Sequence, residues 1–147
     1  MLIDKKNKFL KTFNKRKVLV TGSTGFKGSW LCFWLKELNA NVVGVALKPE
    51  KNDIIFKALK IKNKIKQYYL DINNFNDLNK IIKKENPSIV FHLAAQSIVS
   101  EGYKFPLNTF HTNLLGSSNL IESCRINKIK NLVYVTSDKC YLNEDKK

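Results

Sequence analysis

Three side chains near the end of this sequence have the chemistry for proton transfer. Ser137, Asp138 and Lys139 directly follow an apolar run at residues 131–136 that we predict to be a buried strand. In an open parallel sheet, groups at the carboxyl end of a strand face the crevice where ligands bind. A hydroxyl, a carboxyl and an amine side by side suit general acid–base chemistry. We interpret these three residues as catalytic; the alternative is a Ser-Asp turn followed by a surface lysine.

A glycine-rich loop near the start of the chain predicts a phosphate site. Gly22-x-x-Gly25-x-x-Gly28 lies between a predicted strand and a predicted helix. Gly22 permits the tight turn, Gly25 lets a pyrophosphate approach the backbone, and Gly28 allows the helix to pack on the sheet. The backbone N–H groups and the positive helix end then face the phosphates. The candidate cofactor residues of this loop are Gly22, Thr24, Gly25, Phe26, Lys27 and Gly28. A glycine-rich turn without a ligand is the alternative.

Short apolar runs alternate with amphipathic stretches along the whole chain, which predicts an α/β fold. We predict strands at 17–21, 42–47, 66–70, 88–92 and 131–136. We predict helices at 27–38, 53–60, from a cap at Asn74 or Asn76 to 84, and at 106–126. Right-handed crossovers between these strands give a doubly wound parallel sheet of Rossmann type, with strand order 3-2-1-4-5. On the first helix we expect an apolar face formed by Trp30, Leu31, Trp34, Leu35 and Leu38.

Length, charge and cysteine spacing limit the classes of function. The 147 residues make about one domain, and the formal charge of +14 comes from lysines spread along the whole chain. We expect no specific nucleic-acid binding, because basic and aromatic residues do not alternate as in RNA-binding proteins. No apolar run approaches the roughly 20 residues of a membrane span. Cys32, Cys124 and Cys140 are far apart, which favours buried thiols in a cytoplasmic protein and indicates no metal site.

Four segments together resemble the extended short-chain dehydrogenase/reductase family. They are the G-x-x-G-x-x-G loop, Asp71-Ile72, the segment His92-Leu93-Ala94-Ala95-Gln96 and the pair Thr112-Asn113. The resemblance implies NAD as cofactor. It implies cofactor contacts by Asp71, Ile72, Leu93, Ala94, Ala95, Gln96, Thr112, Asn113 and Thr136. His92 is interpreted as a buried structural histidine. NADP stays open, because residues 45–48 hold no acid where the family usually has one for the adenosine ribose.

The catalytic segment and the glycine loop resemble the sugar-nucleotide 4,6-dehydratases, in particular those of the CDP-glucose type. In that family NAD⁺ oxidises the sugar C4 hydroxyl. The residue matching Lys139 removes the C5 proton, and the residue matching Asp138 protonates the departing C6 hydroxyl. The residue matching Ser137 hydrogen-bonds the C4 oxygen. The resemblance thus implies a nucleotide-sugar substrate, a role in polysaccharide precursor synthesis, and a homodimer formed through helices of this region.

The Tyr-x-x-x-Lys pair of that family has no counterpart here. The residues four positions after the tyrosines are Ile72, Asn73, Leu107, Asp138 and Asp145. We therefore predict a basic lead-in at 1–16, a NAD-binding domain at 17–142 truncated after the fifth strand, a frayed tail at 143–147, and no C-terminal substrate domain. Such a chain is expected to be inactive alone. The alternatives are a non-catalytic dinucleotide-binding module or remnant, and a dehydratase or epimerase for another nucleotide sugar.

Overall fold

Five parallel strands form the sheet that positions the candidate site. The computed structural model describes residues 11–51 and 53–137. The strands are β1 Lys17–Thr21, β2 Asn41–Ala46, β3 Lys66–Tyr69, β4 Ile89–His92 and β5 Leu132–Tyr134. They are ordered β3-β2-β1-β4-β5, and each neighbouring pair is parallel. The predicted doubly wound fold and its strand order are confirmed.

Helices cover both faces of this sheet. They are α1 Phe26–Glu37, α2 Ile54–Ala58, a 3₁₀ turn Ile61–Asn63, α3 Phe75–Glu85, α4 Val99–Lys104, α5 Pro106–Phe110, a π-helical turn His111–Gly116, and α6 Ser117–Ile126. The Asn74 side chain caps α3 by accepting from the Asp77 N–H. Helix α4 was not predicted, because none of its residues is buried and it therefore has no inward apolar stripe. Within the described ranges, no helix has the length and apolar character needed to cross a membrane.

The predicted helix at 106–126 contains a π-helical turn, and the contact of its end with the loop after β3 is tight. A Cβ atom on Gly116 would lie 2.7 Å from Cγ1 of Ile72. The Asn119 side-chain amide donates to the carbonyl oxygens of Ile72 and Asn73, both at 3.1 Å. Single π-helical turns within α-helices occur frequently at functional sites. This one contains Thr112, a candidate cofactor residue.

The core lies in two layers, one on each face of the sheet. The layer under α1 and α2 is formed by Val18, Val20, Cys32, Leu35, Ala40, Val42, Phe56, Ile61 and Ile89. The layer under α3 and α6 is formed by Leu19, Val43, Val45, Ile72, Leu78, Ile82, Val90, Leu120 and Cys124. Successive residues of β1 alternate between the two layers, as the period of a strand requires. Both faces of the central strand are therefore buried, as is typical of a parallel sheet.

The apolar face predicted for α1 is wrong for its two tryptophans. Trp30 and Trp34 are 39% and 62% exposed, whereas Gly28, Ser29 and Cys32 are buried with Leu35. The cause is the glycine loop, because the first turn of α1 packs directly on the Gly22 turn through Gly28. That contact fixes the rotation of the helix about its axis. Small residues therefore face the sheet, and the large aromatic side chains face outward.

A buried carboxylate joins the strands at the edge of the sheet opposite the candidate site. Glu85, at the end of α3, accepts from Lys66 and from the Tyr68 hydroxyl, both at 2.6 Å, and pairs with Lys17 at 3.4 Å. Burial alone would raise the pKa of Glu85. The hydrogen bonds from Lys66, Tyr68 and Lys17 outweigh burial and lower that pKa to about 2. The carboxylate therefore stays ionised at neutral pH and holds α3 to β1 and β3.

Candidate functional site

A cleft of about 510 Å³ opens at the carboxyl ends of the strands. Every strand contributes to it, since Gly22, Leu47, Leu70, Leu93 and Val135 follow directly on β1 to β5 and all line the cleft. Open α/β sheets bind ligands at this edge. The topology therefore brings together residues that are up to 114 positions apart in the sequence, from Gly22 to Thr136.

Most of the candidate cofactor residues meet in this cleft. Those that line it are Gly22, Thr24, Gly25, Phe26, Lys27, Gly28, Asp71, Ile72, Leu93, Ala94, Ala95, Thr112 and Thr136. The further lining residues, which the sequence analysis did not single out, are Ala46, Leu47, Leu70, Ser97, Asn108 and Val135. Four of these six lie at the ends of strands β2, β3 and β5. The rule that ligands bind at strand ends, applied to every strand, would have found them.

Gln96 and Asn113 hold the cleft wall together. The Gln96 N–H donates to Oδ1 of Asn113 at 2.7 Å, and the Asn113 amide donates to the Gln96 carbonyl oxygen at 2.9 Å. This reciprocal pair ties the loop after β4 to the π-helical turn. The resemblance implies cofactor contacts by Gln96 and Asn113, but neither is among the residues that line the cleft. In the structure their hydrogen bonds hold the wall of the cleft.

The glycine loop is shaped by close backbone contacts. Gly22 has a φ of +71°, and a Cβ on it would lie 2.8 Å from the Ala94 nitrogen. A Cβ on Gly28 would overlap the Gly22 carbonyl oxygen. A Cβ on Gly25 would meet only that same oxygen, at 3.4 Å, which is an ordinary contact. Gly22 and Gly28 are therefore required by the fold, whereas the space beside Gly25 is open.

The amino end of α1 has no side chain that caps it. Its N-cap is Gly25, its first turn contains no acidic residue, and Lys27 in that turn is exposed. The Ser29 hydroxyl lies 3.2 Å from the carbonyl oxygens of Ser23 and Thr24, which closes the loop from beneath. The first N–H groups of a helix have no acceptor within it, and the helix dipole favours an anion there. The cleft thus contains a site suited to a phosphate group.

A buried hydrogen-bond chain fixes the loop after β4. Oγ1 of Thr21 accepts from the N–H groups of Leu93 and Ala94, both at 3.2 Å, so its own proton goes to Nδ1 of His92 at 2.6 Å. His92 then carries its proton on Nε2 and donates to Oγ of Ser117 at 2.8 Å. This arrangement requires a neutral imidazole, and burial lowers the pKa of His92 to about 4. The geometry agrees with a structural role for this histidine.

We expect stability to fall in acid because of His92. Its pKa is about 4 in the folded chain and about 6.5 when exposed. The unfolded chain therefore binds the proton first, and the stabilising contribution present above pH 6.5 is lost as the pH falls towards 4. Between pH 7 and pH 5 the loss from this group should be about 2 kcal/mol. Urea unfolding at both values, for the wild type and for His92→Gln, measures it.

The His92→Gln protein should be less stable at pH 7 and should show a smaller fall between the two pH values. His111 is present in both proteins, so its contribution cancels in the comparison. An equal fall in both would mean that His92 is not the titrating group.

Asp71 lies at the edge of the cleft and also closes a turn. Its Oδ1 accepts from the Asn73 N–H at 2.9 Å. The second carboxylate oxygen forms no hydrogen bond within the described part of the chain. Asp71 therefore both closes the turn after β3 and lines the cleft.

The candidate catalytic segment begins where β5 reaches the cleft. The Val135 N–H donates to the His92 carbonyl oxygen at 3.1 Å, which continues the sheet by one bond beyond β5. Val135 and Thr136 line the cleft, and Ser137 follows them in an exposed position. The other two candidates, Asp138 and Lys139, lie outside the described residues. The structure therefore places the start of this segment at the cleft.

Two of the three cysteines are buried free thiols, as predicted. Cys32 and Cys124 are both buried in the core. Burial raises the pKa of Cys32 to about 12 and that of Cys124 to about 11, so neither is a thiolate at neutral pH. Cys140 lies outside the described residues. Within residues 11–51 and 53–137, no group of three or more His, Cys, Asp and Glu side chains is placed to hold a metal ion.

Comparison with known proteins gives consistent matches. The model of the NAD dependent epimerase/dehydratase family matches residues 18–146. The CDP-glucose 4,6-dehydratase of Salmonella typhimurium is 40% identical over 131 residues, which are 88% of this chain and 36% of that protein. The UDP-glucose 4-epimerase of Mycoplasma genitalium is 34% identical over 109 residues, which are 74% of this chain and 32% of that protein.

A solved structure supports the same relationship. The UDP-glucose-4-epimerase from Stenotrophomonas maltophila, with bound NAD and formylated UDP-arabinopyranose, has a TM-score of 0.78 and 27% identity. The match covers 88% of this chain and 39% of that chain. The present chain thus spans between about a third and two fifths of the length of these relatives.

Proposed function

Since this chain belongs to the NAD dependent epimerase/dehydratase family, we propose that it is the NAD-binding part of a nucleotide-sugar 4,6-dehydratase. The proposed reaction converts CDP-glucose into CDP-4-keto-6-deoxyglucose with loss of water. The observation that carries the proposal is the course of the chain after β5, where Val135 and Thr136 line the cleft and directly precede Ser137-Asp138-Lys139 in the sequence. The 40% identity to a CDP-glucose 4,6-dehydratase supports it.

The residues of the cleft fit a dinucleotide. The uncapped N–H groups at the start of α1 suit the pyrophosphate, and the open space beside Gly25 lets it approach the backbone. In this proposal Asp71 contacts the adenosine half, and Ala94 and Thr112 contact the nicotinamide half; all three residues line the cleft. When bound, NAD⁺ would accept the hydride from the sugar C4, and the NADH so formed would give it to C6. The small side chains after β4 keep that part of the cleft open.

The residues that follow β5 supply the elimination in this proposal. The tyrosine of a Tyr-x-x-x-Lys pair, supplied by the remaining part of the enzyme, would take the proton of the C4 hydroxyl as C4 is oxidised. Ser137 hydrogen-bonds the C4 oxygen of the sugar. Lys139 takes the C5 proton, which is acidic once C4 is a ketone, and returns a proton to C5 when the hydride adds to C6. Asp138 gives its proton to the C6 hydroxyl, which leaves as water. A serine, an acid and a base in consecutive positions thus account for the elimination.

An epimerase for another nucleotide sugar is the second candidate. UDP-glucose 4-epimerases also match this chain, at 34% identity in the case of Mycoplasma genitalium. Epimerisation at C4 needs hydride removal and return at the same carbon, and it needs neither a C5 base nor an acid for C6. The Asp138-Lys139 pair therefore favours the dehydratase. A non-catalytic dinucleotide-binding module is the third candidate.

A chimera tests these candidates. The present chain replaces the matched 36% of the Salmonella typhimurium enzyme, which supplies the remaining part. We expect a 4-keto-6-deoxy sugar from CDP-glucose, and little product from dTDP-glucose or UDP-glucose. Lys139→Met should abolish it, whereas Lys130→Met, the same change at an exposed position outside the cleft, should not. The 147-residue chain alone should bind NAD⁺ without turnover, since it contains no Tyr-x-x-x-Lys pair.

Other outcomes would favour the other candidates. UDP-galactose formed from UDP-glucose, with no dehydration, would indicate an epimerase. A chimera that folds and binds NAD⁺ but transforms no nucleotide sugar would indicate a binding module.

We also propose that the chain forms a homodimer through α5 and the helical turns that follow it. Leu107, Phe110 and Leu114 are 76%, 64% and 59% exposed, although all three are large and apolar. Their spacing of three and four positions places them on one stripe of the helix. A stripe of this kind suits the same stripe of a second copy related by a twofold axis. The family resemblance implies a dimer through this region as well.

Replacing Leu107 and Leu114 together by lysine should shift the protein from dimer to monomer, because four charges would then be placed in one isologous interface. Sedimentation velocity at micromolar concentration measures the change. Trp34→Lys removes an equally exposed apolar side chain from α1, which covers the other face of the sheet. That control should remain a dimer. A wild type that is monomeric throughout would contradict the proposal.

A further inference from the structure

A second cavity, of about 540 Å³, lies next to the cofactor cleft and is strongly basic. We call it the basic pocket; the lining residues used here are Lys48, Lys57, Lys60, Lys62, Asn63 and Tyr69. No acidic side chain is among the residues that line it. Lys48 follows β2, Lys57 lies in α2, Lys60 lies between α2 and the 3₁₀ turn, and Lys62 lies in that turn. The fold places Lys48 beside the other three.

The carboxyl ends of β2 and β3 connect the basic pocket with the cleft. Leu47 lines the cleft, and Lys48, the next residue, lines the basic pocket. Likewise Tyr69 lines the basic pocket, and Leu70, the next residue, lines the cleft. The cavities therefore meet across the carboxyl ends of β2 and β3. If the pyrophosphate of a dinucleotide lies at the amino end of α1 and its adenosine extends past β2, the adenosine lies at the boundary between the two cavities.

The charges of the basic pocket are mostly uncompensated. Lys48, Lys60 and Lys62 form no ion pair with any residue that the structure describes. Lys57 is held in place, because its Nζ donates to the carbonyl oxygens of Glu50 at 2.9 Å and Lys51 at 3.2 Å. Like charges placed close together repel one another unless an anion neutralises them. The basic pocket thus has the composition of an anion site.

We infer that the basic pocket binds a phosphate on the 2′-oxygen of the adenosine ribose, so that this chain accepts NADP as well as NAD. The inference rests on the proposed cofactor site. In doubly wound folds the pyrophosphate lies at the first helix, and an acid near the end of the second strand binds the free 2′-hydroxyl. Here the residues at that position are Val45-Ala46-Leu47-Lys48, and an acid would repel the phosphate that a lysine attracts.

Calorimetric titration of the 147-residue chain with four ligands tests this inference. AMP and adenosine 2′,5′-bisphosphate differ only by the 2′-phosphate, and so do NAD⁺ and NADP⁺. We expect the bisphosphate to bind at least about tenfold more tightly than AMP, because the 2′-phosphate gains charge-assisted hydrogen bonds. NADP⁺ should bind at least as tightly as NAD⁺. All titrations use one ionic strength, because a chain of charge +14 attracts every additional phosphate to some extent.

Lysine variants distinguish binding of the 2′-phosphate in the basic pocket from the general attraction between a positively charged chain and any phosphate. Lys48→Gln and Lys62→Gln should each weaken NADP⁺ binding at least about fivefold and leave NAD⁺ binding within about twofold. Lys130→Gln removes the same charge outside both cavities and should change neither.

Two results would overturn the inference. The first is binding of AMP and NAD⁺ with no gain in affinity from the 2′-phosphate, which leaves the proposed cofactor site standing. The second is a loss of NADP⁺ affinity with Lys130→Gln equal to that with Lys48→Gln. If none of the four ligands binds, the proposed cofactor site fails together with the inference.

Discussion

A Gly28→Ala protein should lose most of its folding free energy, although the change adds only one methyl group. The new Cβ would overlap the carbonyl oxygen of Gly22 and lie 2.7 Å from the Gly22 carbonyl carbon. Both are backbone atoms, so no side chain can rotate to relieve the overlap. The first turn of α1 would have to leave the sheet. We expect the free energy of unfolding to fall by at least about 3 kcal/mol, which is at the upper end for overpacked cores. A loss of this size is a large share of the total stability of a domain.

Urea unfolding followed by circular dichroism measures this loss. The matched control is Gly102→Ala in α4, where the new Cβ would approach no atom closer than 3.7 Å. An alanine there should change the free energy of unfolding by less than about 1 kcal/mol, with stabilisation the expected direction. If Gly28→Ala were as stable as Gly102→Ala, the first turn of α1 would not be seated on the Gly22 turn.

The sheet could be predicted because its central strands β1, β2 and β4 consist mainly of short apolar runs. Residues 17–21 and 88–92 are bounded by turn residues or polar residues, and strands buried on both faces have this pattern. The crossover rule then left few possible strand orders. Local sequence and global fold agree in these elements, which is why the prediction of the doubly wound sheet was correct.

The rotation of α1 could not be predicted from hydrophobicity. Periodicity assigns the largest apolar residues to the buried face, and this placed Trp30 and Trp34 inside. In the structure the contact between Gly28 and Gly22 determines the rotation, since the helix can come this close to the Gly22 carbonyl group only where residue 28 has no side chain. The glycine spacing contains that information, because a glycine at position 28 predicts close packing of the helix on the sheet.

Tertiary contacts decide the remaining features of the site. The π-helical turn packs through Gly116 on Ile72, 44 positions earlier in the chain, and nothing in the local sequence indicates that contact. The pairing of Gln96 with Asn113 likewise depends on how α5 and the loop after β4 meet. The rule that ligands bind at strand ends predicts the residues that line the cleft. It does not predict which polar residues form the hydrogen bonds that hold the wall of the cleft together.

The basic pocket could not be predicted from the composition of the chain. Lysine is abundant along the whole sequence, so the group from Lys48 to Lys62 did not differ from the lysines around it. Only the packing of α2 and the 3₁₀ turn beside the ends of β2 and β3 gives that group a common cavity. A basic surface and a basic binding site can have the same amino-acid composition. They differ in whether the fold places the basic side chains around one cavity.

A Gly25→Ala protein should keep its fold and lose most of its affinity for NAD⁺. The new Cβ would meet only the Gly22 carbonyl oxygen, at 3.4 Å, and the φ of −70° at this position is accessible to alanine. The methyl group would instead occupy the open space beside the amino end of α1, where we place the pyrophosphate. We expect binding to weaken at least about 30-fold, or about 2 kcal/mol.

Calorimetry and thermal unfolding together separate the two effects. Without ligand, the melting temperatures of Gly25→Ala and wild type should differ little. With saturating NAD⁺ the wild type should gain stability through binding, and the variant should gain much less. Equal affinity in the two proteins would mean that the pyrophosphate does not lie at Gly25. A variant that unfolds without ligand would mean that Gly25, like Gly28, is required by the packing of the loop.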